Sequence, residues 1–224
     1  MSEPEKSPGR SLWARARGWF REEDDPLTQW VAQAVEGSRL GDQAGILEAL
    51  ERATGPTLFA AERSGALEAA AHAGEATAFL QLGAGHGEAA LRLARALRPD
   101  AGRLTLVEPL LARGRAVAQL LDHASLGDRL ELLNCAVLDA IPSLYRRFDL
   151  ILLLHEPEMF LADLRHAERH GRLKPGTRVI APTTRMASEE SDRYLAHVRA
   201  SGLYGSESHG GFEVSRCLAE IEAW

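Results

Sequence analysis

The stretch that decides the fold is Ala78-Phe79-Leu80-Gln81-Leu82-Gly83-Ala84-Gly85-His86-Gly87-Glu88. A short apolar run, 78–82, runs into three glycines at alternate positions. A helix pattern opens at about Glu88 and continues through Leu91, Leu93, Ala94 and Leu97. Glycine lets the chain turn sharply and lets its backbone approach another group closely. The free N–H groups of the following helix start make an electropositive edge. This is a strand–loop–helix unit of the nucleotide-binding kind.

The next apolar run, Leu106-Val107, ends in Glu108-Pro109, and Glu108 follows Gly83 by 25 residues. A carboxylate there can accept hydrogen bonds from both hydroxyls of a ribose. The spacing G-x-G-x-G brings the third glycine one position earlier than in the dinucleotide fingerprint G-x-G-x-x-G. The shorter loop with its acid fits a methionyl-adenosine ligand, which carries no pyrophosphate. A dinucleotide protein is the weaker competitor, and a plain turn beside an exposed strand end is the functionless alternative.

Outward from this unit, strands and helices alternate. Runs at 104–107, 130–133, 150–154 and 177–181 read as strands. Leu150-Ile151-Leu152-Leu153-Leu154 is continuously apolar, as in a strand covered on both faces. Helix patterns lie at 117–121, 139–145, 160–164 and 188–200. The alternation predicts an α/β fold with a mostly parallel sheet and helices on both faces. Gly210-Gly211 predicts a C-terminal antiparallel hairpin, with strands at 203–207 and 216–223. Upstream, three helical patterns occupy 26–34, 46–50 and 58–71. The organisation expected is a leader over 1–25, N-terminal helices over 26–75 and a Rossmann-like core over 76–224.

The net charge is −6 with 32 acidic and 26 basic residues, which argues against general nucleic-acid binding. The two cysteines, Cys135 and Cys217, suggest neither a disulfide framework nor a zinc cluster. A cytoplasmic location is expected. No run reaches the roughly 18 apolar residues of a membrane span. The leader, basic and aromatic then acidic, reads as a loosely packed terminus; membrane-surface contact through it is the lesser reading. His166 and His170 are four apart without an intervening zinc-protease glutamate pattern, and read as a solvated helix face. Cys135 reads as a packing residue. No G-x-S-x-G elbow is present.

From about Pro26 onward the chain resembles the catechol O-methyltransferase family, of the class I S-adenosylmethionine-dependent methyltransferases. The resemblance rests on the segment 41–50, on Gly83-Ala84-Gly85-His86-Gly87, on 103–108, on Asp139-Ala140-Ile141-Pro142, on Lys174-Pro175-Gly176-Thr177 and on 194–199. It implies a seven-stranded sheet, six strands parallel and one antiparallel. It implies S-adenosylmethionine as cofactor, with Gly83, Gly85, Gly87, Glu108, Ala136 and His155 around it. It implies methyl transfer to a small hydroxylated aromatic, such as a catechol, with His155 and Glu213 as the catalytic candidates.

The family's magnesium ligands fall at Leu154, Pro182 and Thr183, and its lysine base at Pro157. Mg²⁺ wants hard oxygen donors in near-octahedral array. Hydrocarbon side chains offer none, so no metal site is assigned. Glu156 and Glu158 are the carboxylates nearest in sequence, otherwise read as a solvated loop. The same departures motivate the alternative: a methyltransferase-fold protein that lost its chemistry and serves as a binding partner or scaffold.

Overall fold

The computed structural model describes residues 25–55, 76–186 and 188–222. The predicted helix at 58–71 and the leader before Asp25 lie outside these residues. In chain order the elements are α1 (Pro26–Glu36), α2 (Gln43–Thr54), β1 (Ala78–Leu82), α3 (Glu88–Ala96), β2 (Arg103–Val107), α4 (Leu111–His123) and β3 (Leu130–Leu133). They continue with α5 (Val137–Ser143), β4 (Leu150–Leu153), α6 (Phe160–Arg169), β5 (Arg178–Pro182), α7 (Glu189–Ala200), β6 (Tyr204–His209) and β7 (Phe212–Cys217).

The strands form one seven-stranded sheet in the order β3-β2-β1-β4-β5-β7-β6. β1 to β5 pair in parallel; β7 runs antiparallel to both β5 and β6. The apolar runs explain the layers, because successive side chains of a strand point to opposite faces. Phe79, Leu104, Leu150, Leu152 and Ile180 meet α1 to α4 through Leu27, Val31, Ile46, Leu91 and Val117. Leu80, Leu82, Ile151, Leu153 and Val179 meet α5 to α7 through Ile141, Phe160, Leu164 and Val198. Each fully buried leucine or phenylalanine contributes about 1.5–3 kcal/mol.

The hairpin is present, but its second strand lies earlier than the alternation at 216–223 predicts. Gly210 and Gly211 stand at φ 59 and 87. Positive φ at both central residues makes a two-residue turn whose partners are His209 and Phe212. Pairing must therefore resume at once, and β7 runs beside β5 from Phe212 opposite Pro182 to Arg216 opposite Arg178. Beyond Cys217 the neighbouring strand has ended, and Leu218 is exposed.

Two local devices fix element ends, one at the start of α1 and one at the amino-terminal starts of β1 and β4. Asp25 caps α1, its Oδ1 accepting from Leu27 N at 2.9 Å. Asp149 accepts from Thr77 N at 2.8 Å and Ala78 N at 3.0 Å, and pairs with Lys174 Nζ at 2.5 Å. Burial opposes ionisation of Asp149, but Lys174 and these N–H donors outweigh it and hold the carboxyl below its ordinary range. Among the described residues no helix is long and apolar enough to cross a membrane.

Candidate cofactor cleft

A parallel sheet presents its ligand crevice at the carboxyl ends of the strands, where the strand order reverses. Here the reversal falls between β1 and β4, and a cleft of about 430 Å³ opens there. Its walls are Gly83 to His86 after β1, Glu108 to Leu110 after β2, Arg113 on α4, and Leu154 to Glu156 after β4.

Gly83 shows why this loop needs glycine. Its φ is 90, and a Cβ placed on it would lie 2.8 Å from the backbone N of His155 and 3.0 Å from the carbonyl carbon of Leu154. The loop therefore lies flat against the end of β4. Gly85 and Gly87 share the positive φ. Gln81, fully buried, donates from Nε2 to the Gly83 carbonyl at 2.9 Å and braces the turn from below.

Glu108 is 5% exposed at the end of β2. Its Oε2 accepts from Ala84 N and its Oε1 from Leu110 N, both at 2.9 Å. Its backbone carbonyl accepts from Asn134 Nδ2 at 3.0 Å. Each carboxylate oxygen keeps a second lone pair for a ligand. The glycine loop and the acid, joined in sequence only by spacing, are thus joined directly in space.

His155 also lines the cleft, but its ring is anchored in the protein. Nδ1 lies 3.3 Å from the Leu82 carbonyl, and Nε2 lies 2.9 Å from Asp163 Oδ2. The second contact is at ion-pair distance but out of line for a straight hydrogen bond. Phe160 packs edge-on against the ring at 5.1 Å. Glu213 stands on β7 with its carboxylate fully buried and held by Arg199 in two hydrogen bonds of 2.7 Å, and by Ser208 at 2.6 Å. The Arg199 guanidinium holds this carboxyl below the ordinary carboxylate range, against the pull of burial. As placed, neither group presents a free basic atom to the cleft: His155 Nε2 is buried beside Asp163, and the Glu213 oxygens are taken up by Arg199 and Ser208.

Ala136 is the residue before α5, half-buried. Cys135 beside it is half-buried; burial pushes its thiol up and Asp139 adds to the effect, as suits a packing residue rather than a nucleophile. Leu154 is 6% exposed and covers the glycine loop, its Cδ1 lying 3.1 Å from a Cβ built on Gly85. Pro182 ends β5, and Thr183 N donates to the Gly211 carbonyl at 2.8 Å.

Sequence reasoning missed Arg113 and Asp163. Arg113 Nη2 donates to the Gly85 carbonyl at 2.8 Å. It follows Glu108 by five residues, one turn into α4, a spacing that could have drawn attention to it. α1 packs against the glycine loop: Trp30 meets His86 edge-on, ring centroids 5.0 Å apart.

This sheet order and this crevice define a Rossmann-like fold of the class I methyltransferase type. Solved structures share it: the O-methyltransferase of Bacillus cereus in complex with SAH (TM-score 0.62, 17% identity, 87% of this chain and 91% of that one). TomG, an O-methyltransferase of Streptomyces achromogenes in complex with SAM, aligns with TM-score 0.62 at 19% identity over 96% of this chain and all of its own. Catechol O-methyltransferase of Sus scrofa is 34% identical over 131 residues, 56% of this chain and 68% of that protein. The Mus musculus enzyme is 28% identical over 209 residues, 84% of this chain and 77% of its own. The Homo sapiens transmembrane O-methyltransferase is 32% identical over 136 residues, 58% of this chain and 46% of its own. No family model matches. The chain belongs to the catechol O-methyltransferase family.

Proposed function

We propose that the chain is an S-adenosylmethionine-dependent O-methyltransferase acting on a small hydroxylated aromatic, and that it works without a bound metal. The observation that carries this reading is Glu108, whose carboxylate is fixed against the glycine loop at the mouth of the cleft. Gly83, Gly85 and Gly87 form the wall that lets backbone approach the cofactor, and Glu108 takes its ribose hydroxyls. The His155 ring, anchored by Asp163 and Leu82, is a fixed side wall. Ala136, after β3, stays assigned to the adenine side on family resemblance.

The bound cofactor supplies an electrophilic methyl group. The protein's task is then to hold an acceptor oxygen in line with it, which alone can lower a barrier by several kcal/mol, about 7–11 in the best intramolecular cases. Glu156 is exposed and lines the cleft from the β4 side. With Glu213 engaged by Arg199, we assign to Glu156 the hydrogen bond to the acceptor hydroxyl.

A metal does not fit the donors at the family's positions. Leu154 is hydrocarbon packed on the glycine loop, Pro182 has no donor side chain, and Thr183 supplies one weak hydroxyl. The acceptor is therefore one that needs no chelation to be held. Both cysteines are free thiols, in keeping with a cytoplasmic location.

The second reading, a binding or scaffold role, is favoured by the same three positions and by Pro157. Calorimetry with S-adenosylhomocysteine and turnover of a catechol with labelled methyl donor separate the two. We expect micromolar binding, weakened at least about tenfold in Glu108→Ala by loss of hydrogen bonds to a charged group. We expect product formation that EDTA does not abolish. Neither binding nor product would favour the scaffold reading, and binding without product at high enzyme concentration would overturn the enzyme reading and point to a cofactor sensor; product strictly dependent on Mg²⁺ would overturn the metal-free one.

A further inference from the structure

Arg113 stands at the junction of three segments around the cleft. Its Nη2 is bonded to the Gly85 carbonyl. Its Nε lies 3.9 Å from Glu108 Oε2 and 4.0 Å from Asp25 Oδ2, both beyond hydrogen-bond reach. That Nε is buried and without a hydrogen-bond partner. A buried N–H donor left unmade is costly, and each such group calls for an explanation.

Glu108 supplies one. A carboxylate is acceptor-only and arginine is donor-only. Two such atoms 3.9 Å apart can each stand at hydrogen-bond distance from one oxygen, provided that oxygen both donates and accepts. A hydroxyl does both. An ammonium or an amide N–H would satisfy Glu108 but not Arg113. Asp25, 8% exposed and fixed as the cap of α1, brings a second carboxylate oxygen to 4.0 Å from the same Nε.

We propose that Arg113 is a cofactor-binding residue: its Nε–H and the Glu108 carboxylate together take one ribose hydroxyl, with Asp25 as the positioning residue beside it. This rests on the reading that the cleft holds S-adenosylmethionine. It goes beyond that reading in assigning hydroxyl recognition to a pair rather than to the acid alone, and in making α1 part of the cofactor site.

The test is calorimetry on the full chain with S-adenosylhomocysteine and its 2′-deoxy and 3′-deoxy analogues. Wild type should disfavour one deoxy analogue by about tenfold or more, the worth of one hydrogen bond to a charged group. Arg113→Met should bind S-adenosylhomocysteine about tenfold more weakly and should lose most of that discrimination. Arg113→Lys keeps the charge but lacks the Nε–H fork, and should lose it as well. A purely structural role would weaken all three ligands alike and leave the ratio intact. An unchanged ratio in both folded variants therefore overturns the proposal while the cofactor reading stands. Absence of any binding by wild type overturns both.

Discussion

Gly83→Ala should destabilise the protein by about 3 kcal/mol and remove cofactor binding, measured by thermal or denaturant unfolding together with calorimetry. Two effects add. A φ of 90 is strained for any residue with a Cβ, at about 1–3 kcal/mol. The new methyl would also lie 2.8 Å from His155 N, which is backbone and cannot rotate aside. Overpacking of this kind costs about 1–3 kcal/mol more. Relief requires the loop to lift off β4. That would break the Gly83 N–H bond to the Val107 carbonyl, 2.9 Å, and draw Ala84 N away from Glu108. Stability and binding are thus expected to fall together, whereas Glu108→Ala should lower binding far more than stability. A folded Gly83→Ala protein with full affinity would show that the loop does not lie against β4 as described.

Arg199→Met has the second largest expected effect, and its signature is in the pH dependence. Glu213 is fully buried on β7, and Arg199 supplies two of its hydrogen bonds. Breaking a buried pair leaves an uncompensated charge at about 3–5 kcal/mol. Arg199 is itself 48% exposed, so solvent reduces this to about 2 kcal/mol. In wild type the folded Glu213 carboxyl is lowered from the ordinary value of 4.5, mainly by Arg199. Its stabilisation is therefore present above about pH 4.5 and is lost as pH falls through the lowered folded value. In the variant, burial with only the Ser208 hydroxyl as partner favours the protonated acid, so the deficit is largest near neutrality and narrows on acidification. Unfolding free energies measured between about pH 3 and pH 7 check this. A gap that is flat with pH would mean that Glu213 is not the group affected.

The two cases show unequal legibility in the sequence. The strands were readable because Leu150-Ile151-Leu152-Leu153 and its neighbours are apolar on both faces, and only a doubly covered strand tolerates that. The glycine loop and Glu108 were readable because the contact between them is carried by one βαβ unit, where spacing along the chain stands in for distance. The second hairpin strand was misplaced because alternation at 216–223 is a local pattern, while the register is set by the Gly210-Gly211 turn and the length of β5. Asp163 and Arg199 were not legible, and Arg113 only as a basic residue five positions after Glu108. Each acts on a residue of another element: Asp163 on His155 from α6, Arg199 on Glu213 from α7, Arg113 on Asp25 across α1. The resemblance names His155 and Glu213 as catalytic candidates, and their neighbours Asp163 and Arg199 appear only when the helices are packed on the sheet.

The edge contact of Trp30 with His86 has an optical consequence. An indole held against the cofactor loop is an intrinsic fluorophore set a few ångströms from the cleft. The other three tryptophans are Trp13, Trp19 and Trp224. Trp30→Phe therefore identifies by subtraction the emission that follows ligand uptake, giving occupancy of the cleft in real time without a label.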